Sequence, residues 1–484
     1  MRILFLSSEV VPFVKTGGLA DVAGVLPKAL NGLGVDIKVV MPLYSTIDKI
    51  KYKLKKLDIS LAVPMGALGE HWCAIYKGVL PDSKVSVYFI EYEKYFARDG
   101  IYNDSDANGY LDNDNRFIFF SKASMQLSKE LNFKPDILHA NDWQSASSIL
   151  FLETIYKNDS DFKNTKSLLT IHNIQYQGKF HKGTMDILDI GWEYFTYENL
   201  EEFDMVNLLK GAIKNATLIN TVSQTYAKEI QSEEFGYGLQ EAIKNRKNDV
   251  YGVVNGVDYE VWNPKVDKFI KNNYSIDNLI GKKECKKELQ RVFDLEQKDV
   301  PIIGMVTRLA NQKGIDVVVD VIHRVLDLDL QFILIGSGDK ESEKFFKDLE
   351  NQRDNFKCFI GYSDELAHKV EAGSDFFLMP SRFEPCGLNQ LYSLKYGTLP
   401  IVRSVGGLND TVENYNALEK SGTGFKFDDL TEDAIYNTVG WAIYTYYNDE
   451  KGMQKLIQSA MKSEFSWRVS AKEYIDLYNL ALEK

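Results

Sequence analysis

The sequence predicts an α/β protein built from two doubly wound domains, each a mainly parallel sheet with helices on its faces. Three observations predict it. The 484 residues exceed the roughly 250–300 at which one hydrophobic core stops growing. Short apolar runs alternate with segments of helical periodicity along most of the chain. The alternation breaks after Gly256-Val257-Asp258, where Trp262-Asn263-Pro264 and a Lys/Asn-rich stretch to Asn278 intervene.

The first strand is Ile3 to Leu6, and Leu19, Val22, Ala23, Leu26, Ala29, Leu30 and Leu33 then recur at helical spacing before a second strand, Ile37 to Met41. Pro27 inside that helix predicts a kink, because an interior proline removes a hydrogen bond. Ile137 to His139, Leu168 to His172, Leu218 to Val222 and Val250 to Val254 complete a first parallel sheet. A second series runs Ile302 to Val306, Phe332 to Ile335, Phe359 to Gly361, Phe376 to Met379 and Leu399 to Val402. Near the end, Trp467, Ala471, Tyr474, Ile475, Tyr478 and Leu482 form an apolar stripe at helical period, which predicts a docked terminal helix. The expected domains are therefore 1–258 and 259–465, with a helix at 466–484.

The net charge of −12 opposes binding to nucleic acid or to an anionic membrane, so an anionic ligand must be met by cations gathered locally. No run approaches the roughly 20 apolar residues of a membrane span, and the first residues read as a strand rather than a signal peptide, so a cytoplasmic protein is expected. Cys73, Cys285, Cys358 and Cys386 lack C-x-x-C spacing and are expected to be free thiols.

Several segments sit where an open α/β sheet binds ligands. Lys15-Thr16-Gly17-Gly18 lies between the first strand and its helix, and reads either as a plain turn or as a phosphate cradle of amides with a mobile cation. Arg308 and Lys313 flank a strand-to-helix turn closed by Gly314, which favours anion binding over a structural salt bridge. Glu384 lies in a turn set by Pro385 and Gly387, aimed to accept hydrogen bonds from sugar hydroxyls, and Gly406-Gly407 opens another helix at a position that suits phosphate. His139 reads as a packing residue, whereas His172, beside Asn173, reads as a site residue. The loop Asp104-Ser105-Asp106-Ala107-Asn108-Gly109 starts like an EF-hand, but its twelfth position is Asn115 where calcium needs a bidentate Glu, so a solvated loop is expected. Asp112-Asn113-Asp114 in the same loop is discounted as a metal site. Gly336-Ser337-Gly338 has Glu341 where a dinucleotide fingerprint needs its third Gly, which disfavours a dehydrogenase.

Taken together and in order, Lys15-Thr-Gly-Gly-Leu, His139-Ala-Asn-Asp-Trp, Thr170-Ile-His-Asn, Asn255-Gly-Val-Asp, Arg308-x4-Lys313-Gly, Gly361-Tyr-Ser, Phe383-Glu-Pro-Cys-Gly-Leu and Gly406-Gly-Leu resemble the bacterial glycogen synthase and plant starch synthase family over nearly the whole chain. The resemblance implies a GT-B fold, two Rossmann-like domains facing a cleft, with the last helix crossing back to the first domain. It implies transfer of glucose from ADP-glucose to the non-reducing end of an α-1,4-glucan such as glycogen, with no cofactor and no metal. By the same resemblance Lys15 and the amides of Gly17 and Gly18 would contact the diphosphate, with Arg308 and Lys313 neutralising it. Tyr362 would stack on adenine, Glu384 would hold the glucosyl hydroxyls, and Asp142, His172 and Asn173 would line the sugar pocket. Asn255, Cys386, Gly387, Leu388, Gly406 and Gly407 complete the donor side, and Asp21 and Tyr95 lie toward the acceptor.

The chain also departs from that pattern. Tyr392 stands where related retaining transferases carry a second Glu, Val405 replaces a common Thr, and Asn141 replaces a common His. No second carboxylate is implied as a nucleophile, so retention is expected through same-face attack, in which the leaving phosphate takes the acceptor's proton. A non-catalytic sugar-binding protein on the same scaffold is the alternative of another class, and the diphosphate cations speak against it.

Overall fold

The computed structural model describes every residue except Ala107. The chain divides into two compact units, the first comprising Met1–Val222, Ala227–Gly256 and Trp467–Lys484, and the second Ser223–Tyr226 and Val257–Ser466.

In the first unit the strands are β1 (Arg2–Leu6), β2 (Asp36–Pro42), β3 (Lys55–Pro64), β4 (Glu70–Val79), β5 (Ser86–Glu91), β6 (Ile137–Asn141) and β7 (Lys166–Ile171). β8 (Lys179–His181), β9 (Glu201–Glu202) and β10 (Met205–Asn207) form a small separate antiparallel sheet, and β11 (Leu218–Thr221) and β12 (Val250–Gly252) rejoin the main one. The main sheet has the order β12-β11-β7-β6-β1-β2-β5-β4-β3. It is parallel from β12 through β5, but β4 and β3 add antiparallel to that edge, so the first sheet is mixed rather than wholly parallel. The central strands are apolar on both faces, as a sheet covered by helices requires, and Ile3, Leu4, Phe5 and Leu6 are all buried.

The helix Gly18–Gly32 continues through Pro27, which is itself buried. The terminal helix Trp467–Glu483 packs within this unit through Trp467, Ala471, Tyr474, Leu477, Tyr478 and Ala481, while Leu482 is exposed. A buried polar seam fixes it. His139 Nδ1 and the Tyr478 hydroxyl are 2.8 Å apart, His139 Nε2 and Thr170 Oγ1 are 2.7 Å apart, and Asn220 Nδ2 donates to the Tyr474 hydroxyl at 3.1 Å.

The second unit holds β13 (Ile302–Leu309), β14 (Gln331–Gly338), β15 (Phe356–Ile360), β16 (Phe376–Met379), β17 (Leu399–Arg403) and β18 (Phe425–Phe427), in the parallel order β15-β14-β13-β16-β17-β18. Successive residues alternate between two cores, as a strand's period of two dictates. Ile303, Met305, Phe332, Leu334, Phe376 and Leu378 enter one cluster; Ile302, Ile333, Ile335, Phe377 and Met379 enter the other. β15 begins three residues before its expected start because Phe356 is the buried residue, whereas Phe359 is 38% exposed on this edge strand.

The segment after the unit boundary is fixed to this second unit. Trp262 stacks between His368, at 3.7 Å between ring centroids, and Tyr392, at 3.9 Å, and His368 Nδ1 lies 2.8 Å from Asp267 Oδ2. Tyr392 thus packs on an indole.

Candidate active site

In each unit the sheet reverses its winding at a central strand, and side chains there gather beyond the strands' C-terminal ends, where open α/β sheets bind ligands. In the first unit the reversal lies at β1, between β2 and β6.

Beyond β1, the buried Glu9 carboxylate organises the Lys15 loop. It accepts from the Thr16 amide, from Thr16 Oγ1 at 2.6 Å, from the Gly17 amide at 3.1 Å and from the Tyr102 hydroxyl at 2.6 Å. The Gly17 amide is therefore committed to Glu9 here rather than open to a phosphate. A Cβ on Gly17 or Gly18 would meet nothing within 4 Å, so packing inside the chain does not demand these glycines. The open space beside them is what a ligand needs. Lys15 Nζ, half exposed, pairs with Asp21 Oδ1 at 2.8 Å. Tyr95 differs from expectation. It is 1% exposed, packed among His71, Tyr92 and Phe119, so it supports this region from the core and presents no face to a glucan.

Beyond β6 and β7, Asp142 opens a helix with a left-handed φ of 54° and accepts from the His172 amide at 2.7 Å and from the Asn173 amide. Burial pushes its carboxyl up to about 7 against those two N–H donors. His172 is the first residue past β7; burial pushes its imidazole down to about 3, so it stays neutral. Asn173 Oδ1 accepts from the Gln175 amide at 3.0 Å and holds the turn. Asn255 is buried with no hydrogen-bond partner for its Oδ1 among the described residues, an acceptor left for something else to satisfy.

In the second unit the reversal lies between β13 and β16, and a cavity of about 230 Å³ opens there, lined by Thr307, Arg308, Lys313, Ser381, Glu384, Gly387, Leu388 and their neighbours. This is smaller than the roughly 300–1,000 Å³ of pockets that enclose a whole ligand, so it fits part of a donor. Lys313 Nζ donates to Glu384 Oε2 at 2.5 Å, and Ser381 Oγ donates to the same oxygen at 2.9 Å. Arg308, exposed, donates to Gln312 Oε1 at 3.0 Å. Among the described residues Glu384 is the only carboxylate in the cavity wall.

Gly406 and Gly407 behave differently from the Gly17-Gly18 pair. A Cβ on either would fall about 2 Å from a carbonyl, Glu384 O for Gly406 and Cys386 O for Gly407, and the Gly407 amide donates to Glu384 O at 3.0 Å. These glycines let the Glu384–Gly387 turn pack closely, and Gly407's N–H is spent inside the chain. Gly387 has a φ of 73°, Cys386 is buried, and Tyr362 is 72% exposed just before the helix Asp364–Gly373.

The acidic stretch is not all loop: Asp112 stands at the N-cap of the helix Asn113–Glu130, in whose first turn Asn113 is buried and Asp114 part-buried. Asp112 pairs with Arg98 at 2.6 Å, Asp114 accepts from Thr184 Oγ1 at 2.7 Å, and Asp104 Oδ1 accepts from the amides of Asp106 and Asn108. Ala107, in the EF-hand-like stretch, lies outside the described residues. Sequence reasoning missed Glu9, Tyr102 and Ser381, of which Glu9 carried the one available signal, an acid just past a ligand-facing strand.

Residues 2–245 match the model of the starch synthase catalytic domain, and residues 286–463 match that of glycosyl transferases group 1. The catalytic domain of starch synthase IV from Arabidopsis thaliana, solved with ADP and acarbose, has a TM-score of 0.90 and 30% identity, covering 100% of this chain and 99% of its own. Sucrose-phosphate synthase from Thermosynechococcus elongatus, at 15% identity and a TM-score of 0.62, shares the fold. The two Rossmann-like units thus define a glycosyltransferase of the GT-B class. Glycogen synthase 1 of Geobacter metallireducens is 50% identical, covering 100% of this chain and 97% of its own, and glycogen synthase of Treponema denticola is 43% identical, covering 100% and 99%. The chain belongs to the glycogen synthase family, and its activity is glucosyl transfer in glycogen synthesis. No helix among the described residues is long and apolar enough to cross a membrane.

Proposed function

We propose that the chain takes glucose from ADP-glucose and adds it, with retention, to the non-reducing end of an α-1,4-glucan in the cytoplasm, using no metal or cofactor. The carrying observation is the Lys313–Glu384–Ser381 cluster in the second unit's cavity. The ADP in the solved Arabidopsis relative supports an adenosine diphosphate leaving group.

Glu384, fixed by two donors, accepts hydrogen bonds from the glucosyl hydroxyls, and Arg308 and Lys313 neutralise the diphosphate. Lys15, half exposed beside open space at Gly17 and Gly18, is the first unit's cation for a diphosphate. Asp142, His172 and Asn173 bound the sugar, Asn255 supplies its unmet acceptor to the donor, Tyr362 stacks on adenine, and Asp21 lies toward the glucan. Because Glu384 is the cavity's only carboxylate and is already ion-paired, it does not serve as a covalent nucleophile. The bond from the anomeric carbon to the phosphate oxygen breaks as the acceptor oxygen bonds to the same face, and the acceptor's proton passes to the departing phosphate. The cations stabilise the charge that builds there.

The test supplies glycogen with ADP-glucose or UDP-glucose and measures nucleoside diphosphate release and glucose incorporation. ADP-glucose is expected to react with the higher kcat/KM, giving product degradable by an α-1,4-specific glucosidase. A preference for UDP-glucose or an inverted linkage would overturn the reading.

A further inference from the structure

Asn141 ends β6 with its side chain buried between two groups of different hydrogen-bonding character. Its Nδ2 donates to the carbonyl of Leu6, the last residue of β1, at 2.9 Å, and its Oδ1 lies 3.0 Å from His172 Nε2. A carbonyl only accepts, so the amide's NH2 must face Leu6 and its oxygen must face the imidazole. A neutral imidazole facing an oxygen that only accepts must donate, so its proton sits on Nε2 and the lone pair on Nδ1. The backbone of Asn141 is fixed as well: its amide donates to Ser145 Oγ at 2.6 Å, and that hydroxyl donates back to the Asn141 carbonyl at 2.7 Å.

From this chain of contacts we infer that Asn141 is a positioning residue that locks His172 in its Nε2–H tautomer, so that Nδ1 presents an acceptor to a hydroxyl of the transferred sugar. The inference rests on the reading of His172 as part of the sugar pocket. The lock runs from the Leu6 carbonyl through one amide to the ring. A residue with one donor and one acceptor at position 141 can serve; an apolar one cannot.

Nitrogen-15 NMR of the full chain labelled at histidine reads the tautomer directly, with His172 assigned by its loss in His172→Gln. The wild type is expected to show neutral His172 protonated on Nε2, without any substrate present. In Asn141→Leu the ring should lose this single tautomer, and kcat should fall by on the order of 10- to 100-fold while ADP affinity changes little, as misorientation of a positioned group does. Asn141→His, which restores a donor and an acceptor, should recover the tautomer and most of kcat. A wild-type His172 protonated on Nδ1, or Asn141→Leu with unchanged tautomer and kcat, would overturn the inference. If Asn141→Leu does not fold, the wild-type spectrum and the Asn141→His rescue still decide it. Failure of the sugar-pocket reading shows separately, as His172→Gln with unaltered transfer beside an intact Nε2–H signal in the wild type.

Discussion

Lys313 and Glu384 meet at 2.5 Å in a site where neither side chain is more than 19% exposed, and Ser381 donates to the same carboxylate oxygen. The sequence suggests separate partners for them, phosphate for the lysine and sugar for the glutamate. In the proposed reaction their contact would make the two tasks interdependent, because the cation proposed to answer the leaving group's charge also holds the carboxylate proposed to orient the sugar.

Glu384→Gln keeps the shape of the side chain and its contact with Ser381 but removes the charge. We expect kcat to fall by roughly 100-fold or more, the scale of a lost preorganised electrostatic contact, with ADP affinity within a few-fold of wild type. Steady-state kinetics and calorimetry with ADP check both halves. Near-normal turnover in the folded variant would remove Glu384 from the reaction.

Tyr362→Ala should weaken ADP binding by about 1 to 3 kcal/mol, the range for aromatic stacking on a base, and leave thermal stability unchanged because the ring is 72% exposed. Titration calorimetry with free ADP tests this. Equal affinity in the two proteins would mean that the ring does not touch the base.

The two-domain α/β plan was legible because its signals are local: apolar runs bounded by turns mark strands, and helical periodicity fills the gaps. β3, β4 and β5 were not placed from sequence, although Leu57, Ile59, Leu61 and Val63 alternate strictly, as do His71, Cys73 and Ile75, because β3 and β4 follow one another with no helical pattern between them. Glu9 was different in kind. Its place just past β1 is the one local signal it carries; its role comes from meeting Thr16, Gly17 and Tyr102, and the Tyr102 contact spans 93 residues of chain, so that partner is not legible in any local pattern. The two Gly-Gly turns look alike in sequence, yet one borders open space and the other packs against carbonyls, a distinction set wholly by tertiary contacts. His139 read correctly as a packing residue, although its Tyr478 partner lies 339 positions away.

That burial gives His139 a pH signature. Desolvation pushes its imidazole down to about 3, well below the ordinary value of 6.5. A depressed folded-state value means that the unfolded chain binds the proton first, so stability is full above pH 6.5 and is lost as pH falls toward 3, by up to about 1.4 kcal/mol per pH unit for this group. His139→Gln, which cannot titrate, should therefore cost more stability at pH 7.5 than at pH 5. Urea unfolding at the two values measures the difference, and an equal cost at both would show that His139 protonates without penalty in the folded state.

Transfer is expected to proceed without a divalent metal. Charge building on a departing diphosphate must be met by a bound cation or by fixed basic groups, and the proposed reaction relies on the second, the side chains of Lys15, Arg308 and Lys313. The carboxylates that sequence alone could nominate as metal ligands have other work. Asp112 is held by the Arg98 guanidinium, which keeps its carboxyl below the usual range, Asp114 accepts from Thr184, and Asp104 closes its own backbone turn. Among the described residues no group of three or more His, Cys, Asp or Glu side chains is placed to hold a metal ion. Glu384 and Asp21 are each paired with a lysine, so a metal bound to either would have to displace a cation already in place. Activity after dialysis against EDTA, assayed with ADP-glucose and glycogen in excess chelator, should equal that of untreated enzyme. Loss of activity restored by Mg²⁺ or Mn²⁺ would mean that the lysine and arginine clamp is insufficient, whereas Lys313→Ala should lose turnover that added Mg²⁺ does not restore.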